Sequence, residues 1–139
     1  MRDLLNEIKV LTAVAPVVVS NNTPPTEIEI DRQGYESLTF AIALGVLADT
    51  DATFAVTLTE SDTSGTGYTS VAADDIVLNS ETSFDYSADN GCKKVGYIGN
   101  KRFVKCTVTP TNNSGNAPIG VVAILGHATH NPAGATQTP

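Results

Sequence analysis

Apolar and polar residues alternate through much of the chain, which is the pattern of strands that bury one face. In the clearest stretch Leu38, Phe40, Ile42 and Leu44 point one way and the residues between them point the other. Further short alternating or apolar segments cover residues 27–31, 54–58, 68–72, 76–78, 84–86, 95–99 and 103–109. Turn-forming residues separate these segments, and no internal stretch has a convincing helical period. The pattern predicts an all-β fold, with one antiparallel β-sandwich over residues 26–130, and leaves jelly-roll and immunoglobulin-like topologies open.

Residues 120–125 depart from this alternation, because they form a near-continuous apolar run. Such a run is typical of a strand that is buried on both faces. A strand with one face covered at an interface would have the same pattern. The run therefore predicts one of these two environments for this part of the sandwich.

The two ends of the chain differ from the middle. Residues 1–25 predict an extended N-terminal arm, in which Leu4, Leu5 and Ile8 share one side of a short helical turn. Pro16 stops any helix, and Val17, Val18 and Val19 follow as extended chain. Such an arm packs on its own domain or reaches onto a neighbour. Residues 131–139 have no apolar face and predict a flexible, disordered tail.

The length of 139 residues is that of one domain. No run of about twenty apolar residues is present to span a membrane, and the first residues do not have the pattern of a secretory signal. We therefore expect folding in a reducing cytoplasm, which favours free Cys92 and Cys106 over the alternative of a disulfide between them. Cys106 alternates with two valines and should point inward. The net charge of −7 argues against a general nucleic-acid binder.

Charge is divided along the chain. All fifteen acidic residues lie at or before Asp89, whereas five of the eight basic residues crowd between Lys93 and Lys105. These five are predicted to flank a hairpin and to share an edge or face, the basic strip: Lys93, Lys94, Lys101, Arg102 and Lys105. A basic strip on an acidic body fits an acidic partner or a second copy of the chain. Solvated lysines that protect an edge strand are the structural alternative.

No catalytic constellation is present in the sequence. His127 and His130 are too few to ligate a metal, and the acidic pairs Asp49 with Asp51 and Asp74 with Asp75 resemble turn residues more than a calcium loop. A nucleophile elbow and a phosphate-binding glycine loop are both absent. We therefore expect a protein that is not an enzyme and needs neither cofactor nor metal.

Five stretches resemble small proteins that tailed bacteriophages encode beside the major capsid protein. In chain order they are DLLNEIKV with a following AP, IEIDRQGYESLTFAIALG, TESD, KKVGYIGNKRFVKCTVTP and GVVAILGHATHNP. Together they cover most of residues 3–132. These motifs specify turns and packing and identify no reactive atom. In these motifs and their order the chain resembles the jelly-roll head decoration, or cementing, proteins.

The resemblance implies a homodimeric virion protein, assembled in the host cytoplasm, that clamps neighbouring major capsid protein subunits on the outside of an HK97-type shell. It implies no direct contact with nucleic acid or membrane. In this hypothesis Leu4, Leu5, Ile8 and Val17 to Val19 lie on a neighbour, and the basic strip meets carboxylates of the capsid or of the twin chain. Glu27, Glu29 and Asp31 would form an opposite acidic face. A carbohydrate-binding or host-adhesion sandwich is the alternative.

Overall fold

A computed structural model describes residues 2–130 and 133 of the chain. The strands in this part are β1 (Lys9–Val19), β2 (Ile30–Asp31), β3 (Tyr35–Leu44), β4 (Thr53–Ser61), β5 (Thr69–Ser70), β6 (Ser83–Asp85), β7 (Cys92–Tyr97), β8 (Phe103–Thr111) and β9 (Ala117–Ala128). This part also contains three single turns of 3-10 helix: Leu5–Glu7 precedes β1, Ala73–Asp75 lies between β5 and β6, and Tyr86–Ala88 lies between β6 and β7. The tail predicted for residues 131–139 falls outside the described residues except for Ala133, whose N–H donates to the carbonyl of Asn6.

The strands form two antiparallel sheets that pack face to face. One sheet has the order β1-β9-β3-β7, and the other has the order β2-β8-β4-β5 with β6 also paired to β4. Strands that are consecutive in the chain mostly lie in opposite sheets, which is the jelly-roll arrangement. The predicted all-β sandwich is confirmed, and its strand order is jelly-roll-like.

The core lies between the sheets and consists mainly of the residues that the alternating pattern predicts to point inward. Phe40 and Ile42 of β3 are fully buried, as are Val104, Cys106 and Val108 of β8. The rings of Phe54 and Phe84 stack with centroids 5.0 Å apart and close one end of the core. Each sheet therefore buries one row of side chains and leaves the other row facing outward.

The predicted N-terminal arm is largely part of the sandwich. Lys9–Val19 is the edge strand β1, paired with β9 from Lys9 opposite Leu125 to Val19 opposite Ala117. The register shifts twice along this pairing, between Thr12 and Val14 and again before Val17. The boundary at residue 25 was therefore wrong for residues 9–19, which pack on their own domain, the first of the two arrangements predicted for the arm, because a complementary strand from the far end of the chain pairs with them.

Three local predictions were also wrong. Only residues 30–31 of the predicted strand 27–31 form a strand; the N–H of Ile28 donates to the carbonyl of Ala13, but its side chain is exposed. Residues 76–78 do not form a strand. They lie beside β7, where the N–H of Val77 donates to the carbonyl of Gly96. The turn at residues 89–91 is not a hairpin, because β6 and β7 lie in different sheets. Period-2 alternation carries no information about which sheet a strand joins.

The two cysteines should differ sharply in reactivity, since both are free, Cys92 is exposed and Cys106 is buried. Burial raises the pKa of the Cys106 thiol to about 12, so it has almost no thiolate at neutral pH. A chromogenic disulfide reagent should titrate one thiol in the native protein and both in denaturant. Cys92→Ser should remove the native signal, and rapid native labelling of Cys106 in that variant would contradict the packing.

Candidate functional site

The basic strip does not exist as one surface. Lys93 and Lys94 lie on β7 in the four-stranded sheet, whereas Lys105 lies on β8 in the other sheet. Lys101 and Arg102 belong to the connection between these strands. The prediction that the five flank a hairpin was wrong, because β7 and β8 are in opposite sheets and share no edge.

Three of the five basic residues are paired with carboxylates from the first part of the chain. Arg102 donates two hydrogen bonds to Asp31, at 2.9 Å and 2.8 Å. Lys101 contacts Asp62 at 2.6 Å, and Lys93 contacts Glu81 at 3.5 Å. The hydrogen bonds from Arg102 hold the pKa of Asp31 below its usual range. Exposed pairs of this kind contribute little stability, but they neutralise three of the five positive charges within the chain itself.

Lys105 belongs to a cluster around Glu29. Its ammonium group lies 4.5 Å from the ring centre of Tyr68, and the Tyr68 hydroxyl donates to the Glu29 carboxylate. The Ser64 hydroxyl and the Gly65 N–H also donate to Glu29, each at 2.7 Å. These hydrogen bonds, from Tyr68 first and then Ser64, lower the pKa of Glu29. Glu29 therefore anchors the loop over residues 61–68, and the acidic face predicted for Glu27, Glu29 and Asp31 is partly used internally.

Arg32 and Tyr97 fix the backbone of the β7–β8 connection. Arg32 donates to the carbonyls of Gly99, at 3.0 Å, and of Lys101. The buried Tyr97 hydroxyl donates to Glu60 at 2.6 Å and accepts from the Lys101 N–H at 3.0 Å. Burial, followed by the hydrogen bond to Glu60, raises the pKa of Tyr97 to about 12. This network was not predicted, since its members are far apart in sequence.

The predicted apolar contacts fall into two groups at opposite ends of β1. Leu4 and Leu5 are largely exposed, with Leu5 82% exposed, and Ile8 is half-buried. Val17 and Val18 are also exposed. Val19 is only 5% exposed and belongs to the core, so its predicted place on a neighbour was wrong. Alternation along β1 resumes after the bulges and turns Val19 inward.

The outer face of the four-stranded sheet is apolar. On β9 the outward row consists of Pro118, Gly120, Val122 and Ile124, all of them half-buried. The outward positions on the flanking strands are Val10, Thr12 and Val18 on β1, Ser37, Thr39, Ala41 and Ala43 on β3, and Cys92, Lys94 and Gly96 on β7. Lys94 is the one charged side chain among these positions. The apolar run at residues 120–125 thus combines a buried row with a half-buried outward row, so the strand is not buried on both faces.

The outer face of the other sheet has the opposite character. Threonines dominate its outward positions and face each other across β4 and β8, as Thr57 does with Thr107 and Thr53 with Thr111. Hydroxyl-bearing strands of this kind are compatible with water on one side of an antiparallel sheet. The difference between the two outer faces makes the four-stranded sheet the candidate docking surface of the molecule.

A cleft of about 400 Å³ lies at one end of the outer face of the four-stranded sheet. Pro16, Val17 and Val18 line it from β1, Ala43 from β3, and Pro118 and Gly120 from β9. A Cβ on Gly120 would come within 3.3 Å of the Pro16 ring, so glycine keeps β1 and β9 close at this point. Val17 and Val18 were predicted as contact residues, and the other four were not.

The remaining candidate residues have structural contacts. Asp49 accepts hydrogen bonds from the N–H groups of Ser114, at 2.8 Å, and Asp51, at 2.9 Å, as expected for a turn aspartate. The His127 ring contacts the Ser37 hydroxyl. Among residues 2–130 and 133, no group of three or more His, Cys, Asp or Glu side chains could hold a metal ion. Within the same residues, none of the helical turns is long enough to cross a membrane.

Comparison with known proteins found no match, whether among protein-family models, curated proteins or solved structures.

The Glu29 cluster predicts an acid-sensitive contribution to stability. The pKa of Glu29 is lowered on folding. The stabilisation that Glu29 provides is therefore complete above its pKa of about 4.3 in the unfolded chain, and it is lost as the pH falls through the lower pKa of the folded protein. Denaturant titrations at about pH 6 and about pH 4 should show a smaller loss of unfolding free energy in Glu29→Gln than in the wild type. Glu27→Gln is the control, because Glu27 accepts none of these hydrogen bonds. Equal losses in wild type and Glu29→Gln would contradict the cluster.

Proposed function

We propose that this protein is a non-enzymatic structural protein that binds the outside of a bacteriophage capsid and stabilises it by clamping neighbouring shell subunits. The observation that carries the proposal is the apolar outer face of the four-stranded sheet, which bears Lys94 as its one charged outward side chain. The motif resemblance to phage cementing proteins supplies the class of partner. The jelly-roll-like sandwich agrees with that resemblance at the level of fold.

The dimensions of the outer face support a docking role. Four strands spaced about 4.8 Å apart and about eight residues long make a platform of roughly 20 by 27 Å. The area of this platform, roughly 540 Å², is about two-thirds of the ~800 Å² of accessible surface that each partner buries in a standard protein interface. Contact through apolar groups gains free energy from removing that surface from water. Many such contacts on one shell act together, because a clamp held at two subunits dissociates only when both contacts open.

The internal pairing of the basic strip changes the expected mode of binding. Arg102, Lys101 and Lys93 already have carboxylate partners. Meeting an acidic partner would require these pairs to be exchanged, with little net gain. The apolar outer face is therefore the main contributor to binding in this proposal, and the basic strip keeps a structural role.

Co-sedimentation with undecorated phage capsids tests the proposal. We expect saturable binding at a fixed ratio to the shell protein, and most of it should survive about 0.5 M salt, since apolar contact is not screened. Absence of binding at both low and high salt would overturn the proposal. A glycan array then tests the alternative of an adhesion sandwich.

A matched pair of variants tests the docking surface. Val122→Glu places a charge on the outward row of β9, and Thr107→Glu places the same charge on the outward row of β8, both in central strands. Val122→Glu should weaken capsid binding by roughly tenfold or more, because a charge must lose its water on docking. Thr107→Glu should leave binding unchanged. Equal effects of the two variants would exclude the four-stranded sheet as the docking surface.

A further inference from the structure

The cleft at the end of the outer face has an acidic border. The loops around it cover residues 20–24, 45–52, 86–91 and 112–116, and they contain Asp49, Asp51 and Asp89 but no Lys, Arg or His. Asp85, the last residue of β6, lies at the same end. The nearest basic side chains are Lys93, which is paired with Glu81, and Lys94, on the strand beside Ala43.

Hydrogen bonds tie these aspartates to the cleft. The Asp89 carboxylate accepts from the Leu47 N–H at 2.7 Å, and the next residue, Asn90, donates its N–H to the carbonyl of Gly45 in the cleft wall at 3.0 Å. Gly45 in turn donates to the carbonyl of Pro118 at 3.0 Å, and Ala48 donates to that of Asn116 at 3.1 Å. Asp49 therefore lies on a loop pinned beside the same wall. Asp49 and Asp89 are therefore held on loops that are hydrogen-bonded to the cleft wall or to the strand end beside it, although no carboxylate lines the cleft itself.

The chemistry of the lining limits what the cleft can bind. Its volume of about 400 Å³ is in the range of small-ligand pockets, but its side chains are aliphatic or proline, with no polar group to orient a polar ligand. It suits one or two aliphatic side chains. Positive charge close to these side chains would meet Asp49, Asp51 and Asp89, whereas negative charge would be repelled.

We propose that this cleft binds a basic, extended segment of a partner chain, with aliphatic side chains in the cleft and lysine or arginine side chains on the acidic border. The inference rests on the proposed function for the source of that segment, which would be a basic stretch of the shell protein exposed beside a subunit joint. The expected partner segment is therefore positively charged, whereas the basic strip led to the expectation of an acidic partner.

Short peptides test the cleft without any capsid. The probes are a peptide with two lysines on each side of Leu-Val-Leu, its counterpart with glutamates for lysines, and its counterpart with serines for Leu-Val-Leu. Amide chemical shifts of the isotope-labelled full chain report binding and its location. We expect the first probe to bind at least tenfold more tightly than the others, to shift Gly45, Val18 and Gly120, and to weaken several-fold between about 50 mM and about 500 mM salt.

Two pairs of variants place the binding. Ala43→Leu fills the cleft, and Ala55→Leu makes the same change at an exposed position of β4 on the other sheet. Val18→Ser removes apolar lining, and Val10→Ser does so at the opposite end of β1, where Val10 is similarly exposed (56% against 54%). Ala43→Leu and Val18→Ser should each weaken binding of the basic probe at least fivefold, and the controls should not. Asp51→Asn, which removes no side-chain hydrogen bond, should weaken it about twofold.

Several outcomes would overturn the proposal. The glutamate probe could bind as well as the lysine probe, the shifts could map elsewhere, or the controls could match the cleft variants. If Ala43→Leu changes only the oligomeric state of the protein, the cleft belongs to a second copy and the proposal fails. Peptide binding without capsid binding would leave this inference standing and remove the proposed function; capsid binding that is insensitive to Ala43→Leu, with no peptide binding, would do the reverse.

Discussion

The structure depends on the position of β9 between β1 and β3. This strand pairs with the first strand along Lys9–Val19 and with the third along Tyr35–Leu44. The four-stranded sheet is therefore closed by contacts between residues more than a hundred positions apart, such as Lys9 and Leu125. Contacts of this range have a loop-closure cost that must be met before they form, which slows folding. The outer face and the cleft arise only when this pairing is complete, because both use residues of β1, β3 and β9 together.

Long-range pairing also removes part of the charge division of the sequence. Acids from the first part of the chain and bases from the last part meet where distant segments become neighbours, as Asp31 of β2 and Arg102 directly before β8 do. What remains outside these pairs is an excess of carboxylates, some of them in the loops around the cleft. The charges along a sequence therefore describe a surface only after those that pair with each other in the fold have been left out. When these pairs are left out here, the expected partner of the surface changes from acidic to basic.

Much of the fold could be predicted because its strands bury one face. In β3, β4 and β8 the residues expected to point inward, such as Phe40, Val56 and Cys106, are buried. The sheet to which each strand belongs could not be predicted, since alternation is a local property and pairing is not. Of the proposed docking surface, only the apolar run at residues 120–125 could be recognised in the sequence. The lining residues Ala43 and Pro118 could not be recognised in the sequence, because they line a cleft only where β3 and β9 lie side by side.

The outward position of Cys92 has a practical consequence. It lies directly across from Ala43, one of the residues that line the cleft, and the second thiol is enclosed in the core. A fluorophore attached through ordinary thiol chemistry would therefore enter at a single site without any engineered substitution. It would stand on the rim of the cleft, where displaced water and an arriving chain change the emission of a dye. The molecule thus carries a built-in attachment point for an optical reporter of what occupies its surface.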